Sequence, residues 1–198
     1  MRKIVFITGS SSGFGKAFAE KFAANGYDLI LNARRHEKLL ELSTSLERKY
    51  GSKVLLLPFD VQDKEQVANA ISSLPKEWQS ISILINNAGL ALGRDFFEEA
   101  SLDDWETMLD TNVKGLLYVT KSVVPYMINN NSGHIINIGS TAGKEVYEKG
   151  NVYCATKHAV DALSKAMRIE LLRHAIKVTA IHPGAAETEF SIVRFKGD

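Results

Sequence analysis

Six short runs that are rich in apolar residues alternate along the chain with longer segments of helical periodicity. The runs cover residues 3–8, 28–32, 53–59, 82–86, 134–139 and 177–182. Residues 54–57 are apolar at every position, which is typical of a strand that is covered on both faces. Such strands alternating with amphipathic helices predict an α/β fold, with a parallel sheet between two layers of helices.

Helical segments follow four of the six runs. They cover residues 13–25, 37–49, 101–128 and 151–174. Right-handed connections between successive parallel strands then give a Rossmann-type doubly wound sheet of six strands, with helices on both faces. No internal repeat or linker-like stretch interrupts the 198 residues, so we expect residues 1–198 to form a single domain.

Charge and composition narrow the classes of function. The 24 basic and 23 acidic residues leave a formal net charge of +1, without the concentrated positive charge that nucleic acids and anionic membrane surfaces require. No apolar run approaches the roughly 20 residues needed to span a bilayer. Cys154 is the only cysteine, so no internal disulfide can form and we expect a reducing, cytoplasmic location.

A glycine-rich turn lies between the first run and the first helix. Its residues are Gly9, Ser10, Ser11, Ser12, Gly13, Phe14 and Gly15. Exposed N–H groups at a helix N-terminus suit a nucleotide pyrophosphate, although glycine turns also occur without any ligand. The spacing excludes a Walker P-loop, because five residues instead of four separate Gly9 from Gly15. The order G-x-x-x-G-x-G also differs from the G-x-G-x-x-G dinucleotide fingerprint.

Two arginines, Arg34 and Arg35, follow the second run. NAD-binding sheets of this type usually place an acidic residue there to accept the ribose hydroxyls. Guanidinium groups instead attract a 2′-phosphate, so beside the glycine turn they favour NADP(H) over NAD(H). On their own, two arginines at this position also fit a solvated start of a helix.

Three residues have the chemistry of proton transfer. Tyr153 and Lys157 are four residues apart and therefore share one face of a helix. A free phenol has a pKa of about 10, and a nearby cation lowers that pKa towards a useful range. Ser140 directly follows the fifth run, at the carboxyl ends of the strands, where ligands of doubly wound folds bind. A helix with one surface tyrosine and one surface lysine would show the same spacing.

Taken together, the motifs resemble those of the short-chain dehydrogenase/reductase family over the whole chain. They are Thr8 with the glycine turn, Asp60-Val61, Asn86-Asn87-Ala88-Gly89, Asn112, Ser140, Tyr153-x-x-x-Lys157, and Pro183-Gly184 followed by Thr188. The resemblance implies that Tyr153 is the acid/base and that Ser140 positions the substrate oxygen. It implies that Lys157 holds the nicotinamide ribose and lowers the pKa of Tyr153, and that Asn112 anchors a water in a proton relay.

The resemblance also implies how NADP(H) is held. Besides Tyr153 and Lys157, the implied contacts are Gly9, Ser10, Ser11, Ser12, Gly13, Phe14, Gly15, Arg34, Arg35, Asp60, Val61, Asn87, Ala88, Gly89, Pro183, Gly184, Ala186 and Thr188. The pyrophosphate would lie on the glycine turn, and the nicotinamide near residues 183–188. We expect no metal site, because the five histidines lack metal-ligand spacing.

Further stretches are similar to those of the NADP-dependent 3-hydroxy acid dehydrogenases, which include serine and allo-threonine dehydrogenases. These stretches are residues 86–93, 104–108, 134–143 and 188–197. The implied reaction interconverts a small 3-hydroxy acid and its 3-oxo acid or semialdehyde. Its carboxylate needs a cation, and our hypothesis names Arg194 for substrate binding with Ser140 and Tyr153, with Lys196 and Arg94 as alternatives.

Two other functions stay open. A broad carbonyl or ketoacyl reductase would have the same catalytic residues. A catalytically silent NADP(H)-binding regulator could share the fold, but the presence of Ser140, Tyr153 and Lys157 together favours an enzyme.

The resemblance bears on length and assembly as well. Family members usually run to about 250 residues. We therefore expect the native protein to continue past residue 198 with a substrate-covering helix, another helix and a seventh strand. The resemblance also suggests a homotetramer, in which the helices near residues 101–128 and 151–174 pack against their mates.

Overall fold

The computed structural model describes residues 2–186 and residue 190. Within them a single sheet contains β1 (Ile4–Ile7), β2 (Asp28–Asn32), β3 (Val54–Leu57), β4 (Ile81–Asn86), β5 (Gly133–Ile138) and β6 (Ile176–Ile181). All neighbouring strands are parallel, in the order β3-β2-β1-β4-β5-β6. The predicted Rossmann-type sheet of six strands is confirmed. The chain order reverses between β1 and β4, where sheets of this kind form a binding crevice.

The helices connect these strands. They are α1 (Gly13–Ala24), α2 (His36–Tyr50), α3 (Lys64–Ser72), α4 (Leu102–Leu109), α5 (Leu116–Asn129) and α6 (Asn151–Glu170). A π-helical segment, Asp110–Gly115, joins α4 to α5 within the predicted helix at residues 101–128. The helix predicted at residues 151–174 ends at Glu170, and a 3₁₀ turn follows it. No helix in the described part of the chain is both long and apolar enough to cross a membrane.

Successive side chains of the strands enter two different cores. Phe6 is fully buried in the core that faces α3 and α5, whereas Val5 and Ile7 are fully buried against α1 and α2. Side chains alternate across a strand, so a strand covered by helices on both faces is apolar at every position. This packing explains the continuous apolar runs of the sequence.

A buried hydrogen-bond network lies just before the carboxyl ends of β4 and β5. The Asn86 amide donates to Thr120 Oγ1 and to Asn137 Oδ1, both at 2.8 Å. The Asn137 amide in turn donates to Ser164 Oγ at 2.9 Å. These bonds tie the two strands to α5 and α6. They therefore fix the relative positions of the two segments that follow, which begin at Asn87 and at residue 139.

Candidate active site

A cleft of about 640 Å³ opens beyond the carboxyl ends of the strands. Its lining includes most of the predicted site: Gly9, Ser11, Ser12, Gly13, Phe14, Arg34, Arg35, Asp60, Val61, Asn87, Ala88, Gly89, Ser140, Tyr153, Lys157, Pro183, Gly184 and Ala186. Residues from all six strand ends therefore meet in one place. Thr188, Arg194 and Lys196 lie outside the described residues.

The glycine turn packs directly on the segment that follows β4. Gly9 has a φ of +63°, and a Cβ at this position would lie 2.9 Å from Ala88 Cα. The Asn87 amide donates to the carbonyl oxygens of Thr8 and Gly9, both at 3.0 Å. Thr8 Oγ1 accepts from the N–H groups of Asn87 and Ala88. Only a residue without a side chain at position 9 permits this approach.

Two residues of the turn support its shape without lining the cleft. Ser10 is fully buried, and its hydroxyl donates to the Asn32 carbonyl at 3.0 Å. A Cβ at Gly15 would collide with the Gly9 carbonyl oxygen. Ser10 and Gly15 therefore shape the turn, whereas Ser11, Ser12 and Gly13 line the cleft. The cofactor contacts predicted for these five residues stay predictions.

The end of the cleft beside the glycine turn suits a dinucleotide that carries a 2′-phosphate. The first turn of α1 has no acidic residue, so its positive dipole end is available to an anion. One guanidinium nitrogen of Arg35 donates to Ser11 Oγ at 3.2 Å and to Ser12 Oγ at 3.5 Å. A cation is thereby held against the turn, as the phosphates of NADP(H) require.

Arg34 also lines the cleft. Its guanidinium is 3.6 Å from the Asp60 carboxylate, and both side chains are partly exposed, so the pair contributes at most about 1 kcal/mol. Asp60 also accepts from the N–H of Gln62 at 3.0 Å. Between the arginines and β3, the buried Asn32 amide donates to the Leu57 and Phe59 carbonyls. This amide links the end of β2 to the segment that ends β3 and follows it.

The three chemistry-bearing residues meet at the other end of the cleft. Tyr153 and Lys157 lie on α6 with only 8% and 6% of their surfaces exposed. The Lys157 ammonium nitrogen is 5.9 Å from the centre of the Tyr153 ring and donates to the Ile138 carbonyl at 3.0 Å. Ser140 begins the 3₁₀ turn Thr141–Gly143, and its Oγ accepts from the Ala142 N–H at 3.1 Å. The Ser140 hydroxyl hydrogen can therefore be donated to a ligand.

Burial lowers the pKa of Lys157 to about 8. The cause is desolvation, which disfavours the charged form of an ammonium group. In the same low-dielectric surroundings, an ammonium that does carry charge acts strongly on its neighbours. The predicted action of this charge on the Tyr153 phenol stays a prediction.

Asn112 acts on the loop that follows β4. It lies in the π-helical segment and is 2% exposed. Its amide donates to the Leu90 carbonyl at 2.7 Å and to Thr156 Oγ1 at 3.1 Å, while its oxygen accepts from the Leu90 N–H at 2.8 Å. A Cβ at Gly89 would lie 3.2 Å from the Asn112 oxygen and 3.5 Å from the Lys157 nitrogen. The implied role in anchoring a water stays a prediction.

Several cleft residues were not predicted. Tyr147, Leu90 and Phe190 line the substrate end, and the Phe190 ring centre lies 5.8 Å from that of Tyr153. Tyr147 and Phe190 carry no local signal, because long-range folding alone brings them to the cleft. Within the described ranges, no cluster of His, Cys, Asp and Glu could hold a metal ion.

Comparison with known proteins establishes the family. A family model described as short chain dehydrogenase matches residues 3–197. The chain belongs to the short chain dehydrogenase family, as the resemblance implied.

Individual relatives are more specific. The chain is 48% identical over 196 residues to the NADP-dependent 3-hydroxy acid dehydrogenase YdfG of Escherichia coli (strain K12), covering 98% of this chain and 77% of that protein. It is 46% identical over 197 residues to the NADP-dependent 3-hydroxy acid dehydrogenase of Schizosaccharomyces pombe, covering 99% and 76%. A closed form of serine dehydrogenase complexed with NADP+ superposes with a TM-score of 0.93 at 47% identity, covering 98% and 77%.

Proposed function

We propose that this protein is an NADP(H)-dependent oxidoreductase that interconverts a small 3-hydroxy acid and its 3-oxo acid or semialdehyde. One observation carries the proposal: Ser140, Tyr153 and Lys157 face the same cleft as the glycine turn and Arg35. The names of the relatives support the substrate class.

Tyr153 and Ser140 would share the work on the substrate oxygen. In the reductive direction, the Tyr153 hydroxyl gives its proton to the carbonyl oxygen, and in the oxidative direction the phenolate takes the proton from the alcohol. The Ser140 hydroxyl donates a hydrogen bond to the same oxygen and fixes its position. When bound, NADP(H) supplies or accepts the hydride.

Lys157 would act on both the cofactor and Tyr153. Its bond to the Ile138 carbonyl uses one of three N–H donors, so the others can hold the nicotinamide ribose. Its charge also favours the phenolate of Tyr153. The remaining cofactor contacts are proposed as the sequence predicts them, with Arg34 and Arg35 at the 2′-phosphate and residues 9–14 at the pyrophosphate.

The substrate carboxylate requires a cation that the described residues do not provide at this end. Among the described residues that line the cleft, the cations are Arg34, Arg35 and Lys157, and all three are assigned to the cofactor. This arrangement supports Arg194 as the residue that binds the carboxylate.

We also propose a homotetramer in the cytoplasm. Exposed apolar side chains on α5, on α6 and just after α6 support the assembly: Leu117 is 38% exposed, Ile169 is 77% exposed and Leu172 is 72% exposed. Such residues are typical of surfaces that pack against another chain. Light scattering of the purified protein tests the assembly, and a mass of one subunit would exclude it.

A substrate panel with both cofactors tests the function. We expect NADPH oxidation with a 3-oxo acid or semialdehyde, weaker oxidation of NADH, and little turnover of a neutral ketone of equal size. Equal rates for acidic and neutral substrates would instead indicate a broad carbonyl reductase. NADPH binding without turnover of any substrate would indicate a silent regulator.

A further inference from the structure

Four charged or titratable side chains form a cluster next to the turn that carries Ser140. At its centre is Asp161, which is 9% exposed. Its carboxylate lies 2.7 Å from Lys144 Nζ, 2.7 Å from Lys165 Nζ and 3.3 Å from His182 Nε2. Hydrogen bonds from the two lysines hold the pKa of the Asp161 carboxyl far below its usual range, so this group stays ionised at neutral pH.

The cluster joins three elements that build the candidate active site. Asp161 lies one helical turn after Lys157 on α6. Lys144 follows the 3₁₀ turn that begins at Ser140, and His182 directly follows β6 and precedes Pro183. A contact at Asp161 therefore links the helix of Tyr153 to the ends of β5 and β6.

His182 connects this cluster to Ser140. Its Nδ1 lies 3.1 Å from the Ser140 carbonyl oxygen, while its Nε2 faces the Asp161 carboxylate. A carbonyl oxygen can only accept, so Nδ1 must carry the hydrogen of this bond. The ring therefore donates through Nδ1 to Ser140, while its Nε2 lies beside the Asp161 carboxylate.

The ring has little freedom to leave this position. A Cβ at Gly139 would lie 2.6 Å from His182 Nδ1, so the imidazole packs directly on the backbone before Ser140. Backbone bonds hold both neighbours of Ser140: the Gly139 N–H donates to the Ile181 carbonyl at 2.7 Å, and the Thr141 N–H donates to the Pro183 carbonyl at 3.0 Å. The His182 side chain completes this link at Ser140 itself.

We propose that His182 is a positioning residue that bridges the Asp161 carboxylate to the Ser140 carbonyl and so aims the Ser140 hydroxyl at the substrate. This inference rests on the proposed function, because that function assigns Ser140 to the substrate oxygen. Ser140 follows the strand end in an extended conformation, at φ −169° and ψ 158°. Small rotations of this one residue would move its hydroxyl, and a misplacement of about 1 Å can reduce a rate by roughly 100-fold.

Two substitutions separate the two ring nitrogens. In His182→Asn the amide nitrogen replaces Nδ1 and keeps the bond to Ser140, whereas in His182→Gln it replaces Nε2 and keeps only the contact to Asp161. We expect kcat within about threefold of wild type for His182→Asn, and a loss of roughly tenfold or more for His182→Gln and His182→Leu. The KM for NADPH should not change in any of them, because the cofactor contacts are intact.

His134 provides a matched control. It is also a partly buried histidine, and its Nε2 lies 2.9 Å from Thr179 Oγ1 of β6. However, His134 is the second residue of β5, at the end of the strand that is far from Ser140. His134→Leu should therefore leave kcat unchanged. Equal kcat in the Asn, Gln and Leu variants of His182, or an equal loss in His134→Leu, would overturn the proposal.

A second measurement does not depend on turnover. Long-range ¹H–¹⁵N spectra report which ring nitrogens carry a proton, and the His182 signals can be assigned from the variants. We expect Nδ1 to carry a proton at neutral pH, because its hydrogen bond to the Ser140 carbonyl oxygen requires a donor. An unprotonated Nδ1 would overturn the positioning role even in an active enzyme. If wild type turned over no hydroxy acid but Nδ1 were protonated, the proposed function would fail while the contact between His182 and Ser140 stood.

Discussion

The ammonium of Lys157 is anchored to the Ile138 carbonyl, at a nitrogen-to-oxygen distance of 3.0 Å. This bond joins α6 to the last residue of β5, two positions before Ser140. A Cβ at Gly143 would lie 2.5 Å from the Lys157 carbonyl oxygen, so the turn after β5 also presses on the helix. The two contacts fix α6, which carries Tyr153, relative to the turn that carries Ser140. These are the two side chains that would act on one substrate oxygen.

Replacement of Lys157 by Met should change how stability depends on pH. Burial lowers the pKa of Lys157 from 10.5 to about 8, so between these values the unfolded chain binds a proton that the folded chain does not. The stability of wild type relative to Lys157→Met should therefore rise as the pH increases from about 8 to 10.5. Denaturant titrations across this range measure the difference, and a flat difference would contradict a buried, desolvated ammonium.

Gly9→Ala should damage the glycine turn beyond ordinary backbone strain. Gly26 is the matched control, because its φ is +80° but a Cβ there would meet nothing within 4 Å. We expect Gly26→Ala to cost about 1 kcal/mol from strain alone, and Gly9→Ala to cost clearly more, because its Cβ meets the Ala88 backbone. Thermal unfolding measures both. NADPH binding should weaken only in Gly9→Ala.

Replacement of Arg35 by Gln should reduce the discrimination between the two nicotinamide cofactors. The Arg35 guanidinium lies against Ser11 and Ser12. Its charge-assisted bonds to the 2′-phosphate would be lost in the variant. We expect the KM for NADPH to rise by roughly 10-fold or more, which corresponds to about 1.4 kcal/mol, with little change for NADH. Equal effects on both cofactors would exclude a role at the 2′-phosphate.

Arg194→Met tests the proposed carboxylate contact. We expect kcat/KM for a 3-hydroxy acid to fall by roughly 10-fold or more, because a charge-assisted bond to the carboxylate is lost, while the value for a neutral alcohol changes little. Steady-state kinetics on the two substrates give the ratio. Equal losses on both substrates would refute the assignment, and Lys196→Met serves as the comparison.

Much of the fold could be predicted because its signals are local. Each predicted apolar run overlaps a strand. The pattern is continuous in β1 and β2, which are buried on both faces of the sheet. Helix α3 was not predicted, because its nine residues bury only Val67 and Ile71. The π-helical segment was also missed, since one wider turn leaves almost no trace in a helical period.

The site was predictable where motifs are contiguous and not where folding joins distant segments. The glycine turn and the Tyr153–Lys157 pair could be found by spacing, and both line the cleft. The direction of the Ser10 side chain could not be predicted, because it depends on a hydrogen bond to the Asn32 carbonyl at the end of β2. The contact between Asp161 and His182 depends on where β6 ends against α6, which no local pattern encodes.

A single-turnover experiment with Tyr153→Phe tests the central claim most directly. Enzyme loaded with NADPH is mixed with a 3-oxo acid or semialdehyde, and the rate of NADPH oxidation is compared with wild type. We expect the rate at saturating NADPH to fall by roughly 100-fold to 10,000-fold, because the proton donor is lost. Saturation with NADPH removes any contribution from the implied cofactor contact of Tyr153. A Tyr153→Phe rate equal to that of wild type would show that another group transfers the proton and would contradict the account.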